Sequence, residues 1–123
     1  MMKYFYIFLF CVWGFTTSSL AKETVFIDGL EDVPLMNGLM QNTKNTVSFG
    51  NEEARFVEAY LTSTKVGFKA VEKFYIDSLP QLGWIYQGTA DNSVIFYRDG
   101  ESLSFHKEGE KPLKIRITVK NRI

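Results

Sequence analysis

From Trp84 to Lys120 short turn-forming clusters separate four runs of strand-forming residues, and the last two runs alternate apolar with polar. A period of two places every second side chain on one face of a strand. The runs are Trp84-Ile85-Tyr86-Gln87-Gly88, Val94-Ile95-Phe96-Tyr97, Ser102–His106 and Leu113–Lys120. The last is the clearest: Leu113, Ile115, Ile117 and Val119 alternate with Lys114, Arg116, Thr118 and Lys120. Such a run buries one face and wets the other, as strands do in an antiparallel sheet covered on one side. Between the runs stand Ala90-Asp91-Asn92, Asp99-Gly100 and Glu108–Pro112. Asp-Gly between two β runs signals a two-residue hairpin, with positive φ expected at both turn positions. The C-terminal half is therefore expected to be a four-strand antiparallel meander.

Upstream the period changes. Phe68, Val71, Tyr75, Leu79 and Leu82 recur at three- or four-residue steps, and Phe74 and Ile76 widen the stripe. This spacing predicts one amphipathic helix over Lys65–Leu79, with Thr64 as N-cap, Pro80 ending or kinking it and Gly83 as its C-terminal stop. Before it, Arg55–Thr62 has strand composition, with Val57, Ala59 and Leu61 on one face. Thr24–Ile27 and Thr46–Phe49 are short strand candidates, and Thr43–Asn45 is a turn. Glu31–Leu39 cannot be a regular helix, because Val33 precedes Pro34 and is pushed to extended geometry; its apolar Val33, Leu35, Met36 and Leu39 should pin it to the core as a loop. A lone amphipathic helix must bury its stripe, and the sheet is the large partner on offer. The expected fold is α+β: a single domain with one main helix packed across an antiparallel sheet that ends in the meander.

The N-terminus carries a different signal. Lys3 precedes the unbroken apolar run Tyr4–Phe15, then polar Thr16–Ser19, then Leu20-Ala21. This is the order of an export signal, with Ser19 and Ala21 in the small positions of a cleavage site. The alternative is a retained anchor, but the run of about 12 residues falls short of the roughly 20 a spanning helix needs. Residues 1–21 are read as signal peptide and 22–123 as the domain, leaving 102 of the 123 residues. Cys11, the only cysteine, falls in the signal, so the mature chain has no disulfide or thiolate site. The signal also carries Lys3, so 13 basic and 14 acidic residues remain, a net of −1. That balance excludes broad nucleic-acid steering. The charge is uneven, however: Lys22–Glu58 holds seven acidic and three basic residues, whereas Lys107–Arg122 holds six basic and two acidic.

Two stretches, Asp32-Val33-Pro34-Leu35-Met36-Asn37-Gly38-Leu39 and Phe74-Tyr75 with Leu79-Pro80-Gln81-Leu82-Gly83-Trp84, stand ahead of Arg98-Asp99-Gly100-Glu101. Together they resemble a group of small exported alphaproteobacterial domains with a PLMxGL loop and an FYxxxLPQLGW helix end. The resemblance spans nearly the whole mature chain. It implies envelope location and fold, and no activity.

No motif in the chain carries a recognisable chemistry. His106 is the only histidine; it falls on a strand beside Lys107, and nothing in the sequence puts a nucleophile beside it. Asp28, Glu31 and Asp32 lack the spacing of a calcium loop and read as a solvated acidic turn. Glu52 and Glu53 are adjacent, which on a strand points them to opposite faces. Phosphate-cradling loops are missing, and Tyr86, Phe96 and Tyr97 read as core rather than a stacking platform. No cofactor or metal is expected. The most suggestive feature is the row Lys114, Arg116, Lys120 and Arg122 at even spacing, which one strand would present on a single face. It is either a contact for an acidic envelope protein or an anionic lipid, or the charge that protects an edge strand from unwanted pairing. The expected function is an exported, periplasmic, non-enzymatic binding or assembly module; the alternative is a small envelope hydrolase using His106.

Overall fold

A computed structural model describes residues 24–51 and 53–122. Residues 1–21, expected to be an export signal, therefore lie outside the described residues, as does Glu52. In chain order the strands are β1 (Phe26–Ile27), β2 (Leu30–Pro34), β3 (Met40–Gln41), β4 (Val47–Gly50), β5 (Arg55–Ser63), β6 (Ile85–Ala90), β7 (Ser93–Arg98), β8 (Glu101–Glu110) and β9 (Leu113–Asn121). Helix α1 covers Phe68–Ser78 and runs into a 3-10 turn at Leu79–Leu82; another 3-10 turn covers Thr43–Asn45. The main sheet is antiparallel, in the order β3-β5-β9-β8-β7-β6, and β4 shares the outer side of β5 with β3. A separate hairpin is formed by β1 and β2. The α+β architecture and the C-terminal meander are as expected.

One face of the sheet is the floor of the core. Val57, Ala59 and Leu61 of β5 stand beside Val119, Ile117 and Ile115 of β9; Leu103 and Phe105 of β8 continue the rows toward Phe96 and Val94 of β7. All ten are buried. Over them lie Val71, Tyr75 and Leu79 from α1 and its extension, with Ile27, Leu30, Val33 and Leu39 from the N-terminal segment, all buried and part of one cluster. Phe68, Phe74 and Ile76 pack against the edge of this cluster, half-buried. Tyr75 stacks 4.3 Å from Phe105, which fixes the helix on β8. Among the described residues, the buried core runs from Ile27 to Val119.

Several local expectations are corrected. Glu31–Leu39 is not a loop throughout: Leu30–Pro34 is a strand, because the extended geometry that Pro34 imposes on Val33 suits pairing with β1. The helix starts at Phe68 rather than Lys65, after Gly67, and Thr64 does not cap it. The neighbouring Ser63 organises that turn instead, its hydroxyl accepting from the Lys65 and Val66 N–H groups at 2.9 and 3.1 Å and donating to the Gly38 carbonyl at 2.7 Å. Pro80 tightens the helix into the 3-10 turn without stopping it; the stop is Gly83, at φ +93°. Leu82, read as part of the stripe, is 39% exposed beyond that change of pitch. In the Asp99-Gly100 hairpin only Asp99 takes a positive φ, of 54°.

Candidate functional site

The second face of the sheet carries no helix among the described residues, and the strand register writes out what it presents. Residues at odd offsets from the core positions share it. Across one row stand Tyr60, Arg116, His106 and Ser93; across the next, Val47, Glu58, Thr118, Ser104 and Ile95. The row toward the end of β9 begins with Phe49 and Phe56 and ends with Ser102, Tyr97 and Ile85. Lys120 pairs with Ser102 and completes that row. Lys114 lies opposite Thr62, which in turn lies opposite Met40.

All four expected site residues therefore belong to this face. Their setting differs from the expectation in one respect. β9 is not an edge strand: it lies between β5 and β8 and is paired on both sides. Edge protection is thus no explanation of its charges, and a partner cannot add a strand to it. The true edges are β6 on one side and β3 with β4 on the other. The sequence could not reveal this, because the place of a strand in a sheet depends on pairings with residues some 50 positions away in the chain.

The four cations are not equivalent. Arg116 is held by Glu108 at 3.0 Å. A bulge at Lys107–Gly109 interrupts the β8–β9 register, and Glu108 occupies it. Lys114 and Lys120 are exposed and have no ion-pair partner among the described residues. Arg122 lies past the end of β9, but its N–H still bonds the Gly100 carbonyl at 2.8 Å and its guanidinium donates to the Asp99 carbonyl. That guanidinium carbon sits 4.4 Å from the centre of the Tyr97 ring, within reach of a cation–π attraction. Glu58, which accepts a bond from the Tyr60 hydroxyl at 2.8 Å, and Glu108 are the acids of the face. Among the described residues, four cations against two carboxylates leave the face at +2.

His106 has company the sequence did not show. Ser93 lies directly opposite it in the register, and its Oγ is 2.7 Å from His106 Nδ1. A serine nucleophile also needs an orienter for the imidazole and donors for an oxyanion. Among the described residues no carboxylate bonds this ring; its other cross-strand neighbour is Arg116, already engaged by Glu108. The pair can fix the rotamers of two half-buried side chains, and the geometry supplies no further catalytic part. Of the three aromatics read as core, Phe96 is buried, whereas Tyr86 is 39% exposed and Tyr97 lies on the opposite face.

A second charged cluster, unread in the sequence, ties the N-terminal hairpin to the sheet. Asp32 on β2 accepts from Arg55 on β5 at 3.3 Å and from Arg98 on β7. Arg55 also meets Glu101 on β8 through two parallel bonds, at 2.6 and 3.0 Å. Arg98 lies 4.1 Å over the buried Trp84 ring and donates to the Leu82 carbonyl at 3.1 Å. Asp32 is thus not a solvated turn residue. Burial pushes its carboxyl up, but the bond and charge of Arg98 and the charge of Arg55 outweigh that and hold it below the usual carboxylate range. An open depression of about 530 Å³ lies over the cluster, lined also by Glu53 and Asp99. The two arginines are neutralised by two carboxylates and further acids line the depression, so it is no anion site.

Among the described residues no group of three or more His, Cys, Asp or Glu side chains is placed to hold a metal ion, and no helix is long and apolar enough to cross a membrane. No family model, no curated protein and no solved structure matches the chain.

Proposed function

We propose that this protein is a non-enzymatic binding module of the cell envelope, exported by its N-terminal segment, which engages an anionic partner through the uncovered sheet face. The observation that carries the reading is the placement of Lys114, Arg116 and Lys120 along a central strand, with Arg122 just past its end, on the face away from the helix. A solvated face is ordinary for an antiparallel sheet. This face adds to that a net positive charge and large exposed apolar side chains, the combination that marks interaction surfaces. Export rests on the Lys3, Tyr4–Phe15, Ser19-Leu20-Ala21 order and on the resemblance to exported domains.

Because the charges are exposed, each contributes about 1 kcal/mol or less to binding and is screened by salt. Residues 22–123, used as bait on envelope extracts, should retain partners at low salt that a Lys114→Glu/Lys120→Glu variant does not. Equal recovery by both baits would refute the assignment of this face. The Ser93–His106 contact favours a second reading, a hydrolase using His106. Turnover of an envelope ester or glycan that disappears in both His106→Ala and Ser93→Ala would establish it over the binding module.

A further inference from the structure

We infer that the anionic partner is a lipid bilayer surface, met by the end of the open face where β9 finishes; this rests on the binding-module reading above. The row there runs Phe49, Phe56, Lys120, Ser102, Tyr97 and Ile85 across the sheet, with Arg122 lying on Tyr97. Phe49 and Phe56 stack at 5.3 Å. Glu58 and Glu108, the acids of the face among the described residues, stand in other rows, so no described carboxylate on this face opposes Lys120 and Arg122.

The order of chemistry across the row selects the occupant. Phe49 is 63% exposed on one edge strand and Ile85 64% on the other, five strand spacings apart, or roughly 24 Å at ~4.8 Å each. Met40, 71% exposed, and Val47 extend the apolar edge on the Phe49 side. The cations lie between these edges. A protein interface is arranged the other way, with apolar anchors at its centre and a polar rim. A second copy of this chain would bring one +2 face against another. A bilayer is wide enough to meet both edges at once. Its headgroup–acyl boundary takes up exposed aromatic and aliphatic side chains, while lysine and arginine reach the phosphates on flexible stems.

The test is co-sedimentation of residues 22–123 with vesicles of phosphatidylglycerol and phosphatidylcholine, and with phosphatidylcholine alone. The domain should bind the anionic vesicles and release as salt is raised. Lys120→Glu/Arg122→Glu should weaken binding by about thirtyfold or more, since each basic residue near an anionic surface contributes about fivefold. Phe49→Ser/Ile85→Ser, both at exposed positions, should weaken it while leaving the salt dependence in place. Lys69→Glu/Lys73→Glu makes the same charge change on the helix, whose buried side faces the core, and should leave binding unchanged. If the helix variant loses as much as the Lys120/Arg122 variant, attraction is not through this face and the inference is overturned. Binding to soluble polyglutamate without binding to vesicles would overturn the lipid assignment and leave the binding-module reading standing. Binding to neither would remove both.

Discussion

Replacing Tyr75 by phenylalanine removes one oxygen atom and leaves two backbone groups without a partner. The Tyr75 hydroxyl donates to the Pro34 carbonyl at 2.6 Å and accepts from the Met36 N–H at 3.1 Å. These bonds join α1 to the Pro34-Leu35-Met36 segment about 40 residues upstream, where β2 ends. The ring itself is packed on Phe105 at 4.3 Å and edge-on to Phe74 at 4.8 Å, and phenylalanine keeps both contacts. The loss is therefore confined to polar satisfaction. An unsatisfied buried backbone group costs about 1–3 kcal/mol. The Pro34 carbonyl is buried and bears that cost, while water can reach the partly buried Met36 N–H, so about 2 kcal/mol is expected in total. For a domain of about 100 residues this lowers the melting temperature by roughly 8–16 °C. Urea unfolding of residues 22–123 measures the loss, and hydrogen exchange should show the Met36 amide losing protection in the variant. Tyr60→Phe is the control, since its hydroxyl bonds only the partly exposed Glu58 carboxylate and should matter by under about 0.5 kcal/mol. If Tyr75→Phe costs no more than Tyr60→Phe, the hydroxyl is not what holds the Pro34–Met36 segment to the helix.

Leu79→Ala, at a fully buried position where α1 passes into the 3-10 turn, should cost about 2–5 kcal/mol by urea unfolding. The Asp32 carboxyl, held below its usual range in the folded state, prefers its charged form there. Its stabilisation is present at neutral pH and is lost as pH falls through that lowered value. The wild-type domain should therefore lose stability below about pH 4, the ordinary carboxylate range. Asp32→Asn should be less stable than wild type at pH 7 and show a shallower loss toward pH 3; parallel pH profiles would refute the pairing with Arg98 and Arg55.

Much of the fold is legible in order along the chain, because period is a local property. The alternation of Leu113–Val119 with Lys114–Lys120, the inward set Val57, Ala59 and Leu61, and the stripe Val71, Tyr75 and Leu79 all correspond to buried faces. Gly83 ends the helical segment because a left-handed residue is needed there and glycine adopts it without a Cβ penalty. Even the single face of the four C-terminal cations follows from spacing alone.

What the sequence by itself determined, then, is which side chains point the same way within each element. The tertiary structure alone decided which elements lie side by side. The spacing pointed to Thr64 as the hydroxyl before the helix; Ser63 organises that turn because it ends β5 on the inward face, with the Gly38 carbonyl within reach. Ser93 meets His106, and Phe49 meets Phe56, only through register, which depends on turns and bulges rather than on either residue. Asp32 finds Arg55 and Arg98 at separations of 23 and 66 residues. β9 became a central strand because β5, from before the helix, pairs along its outer side. Strand order and ion pairing are set by burying the whole core at once, and that condition leaves no mark on any short stretch of residues.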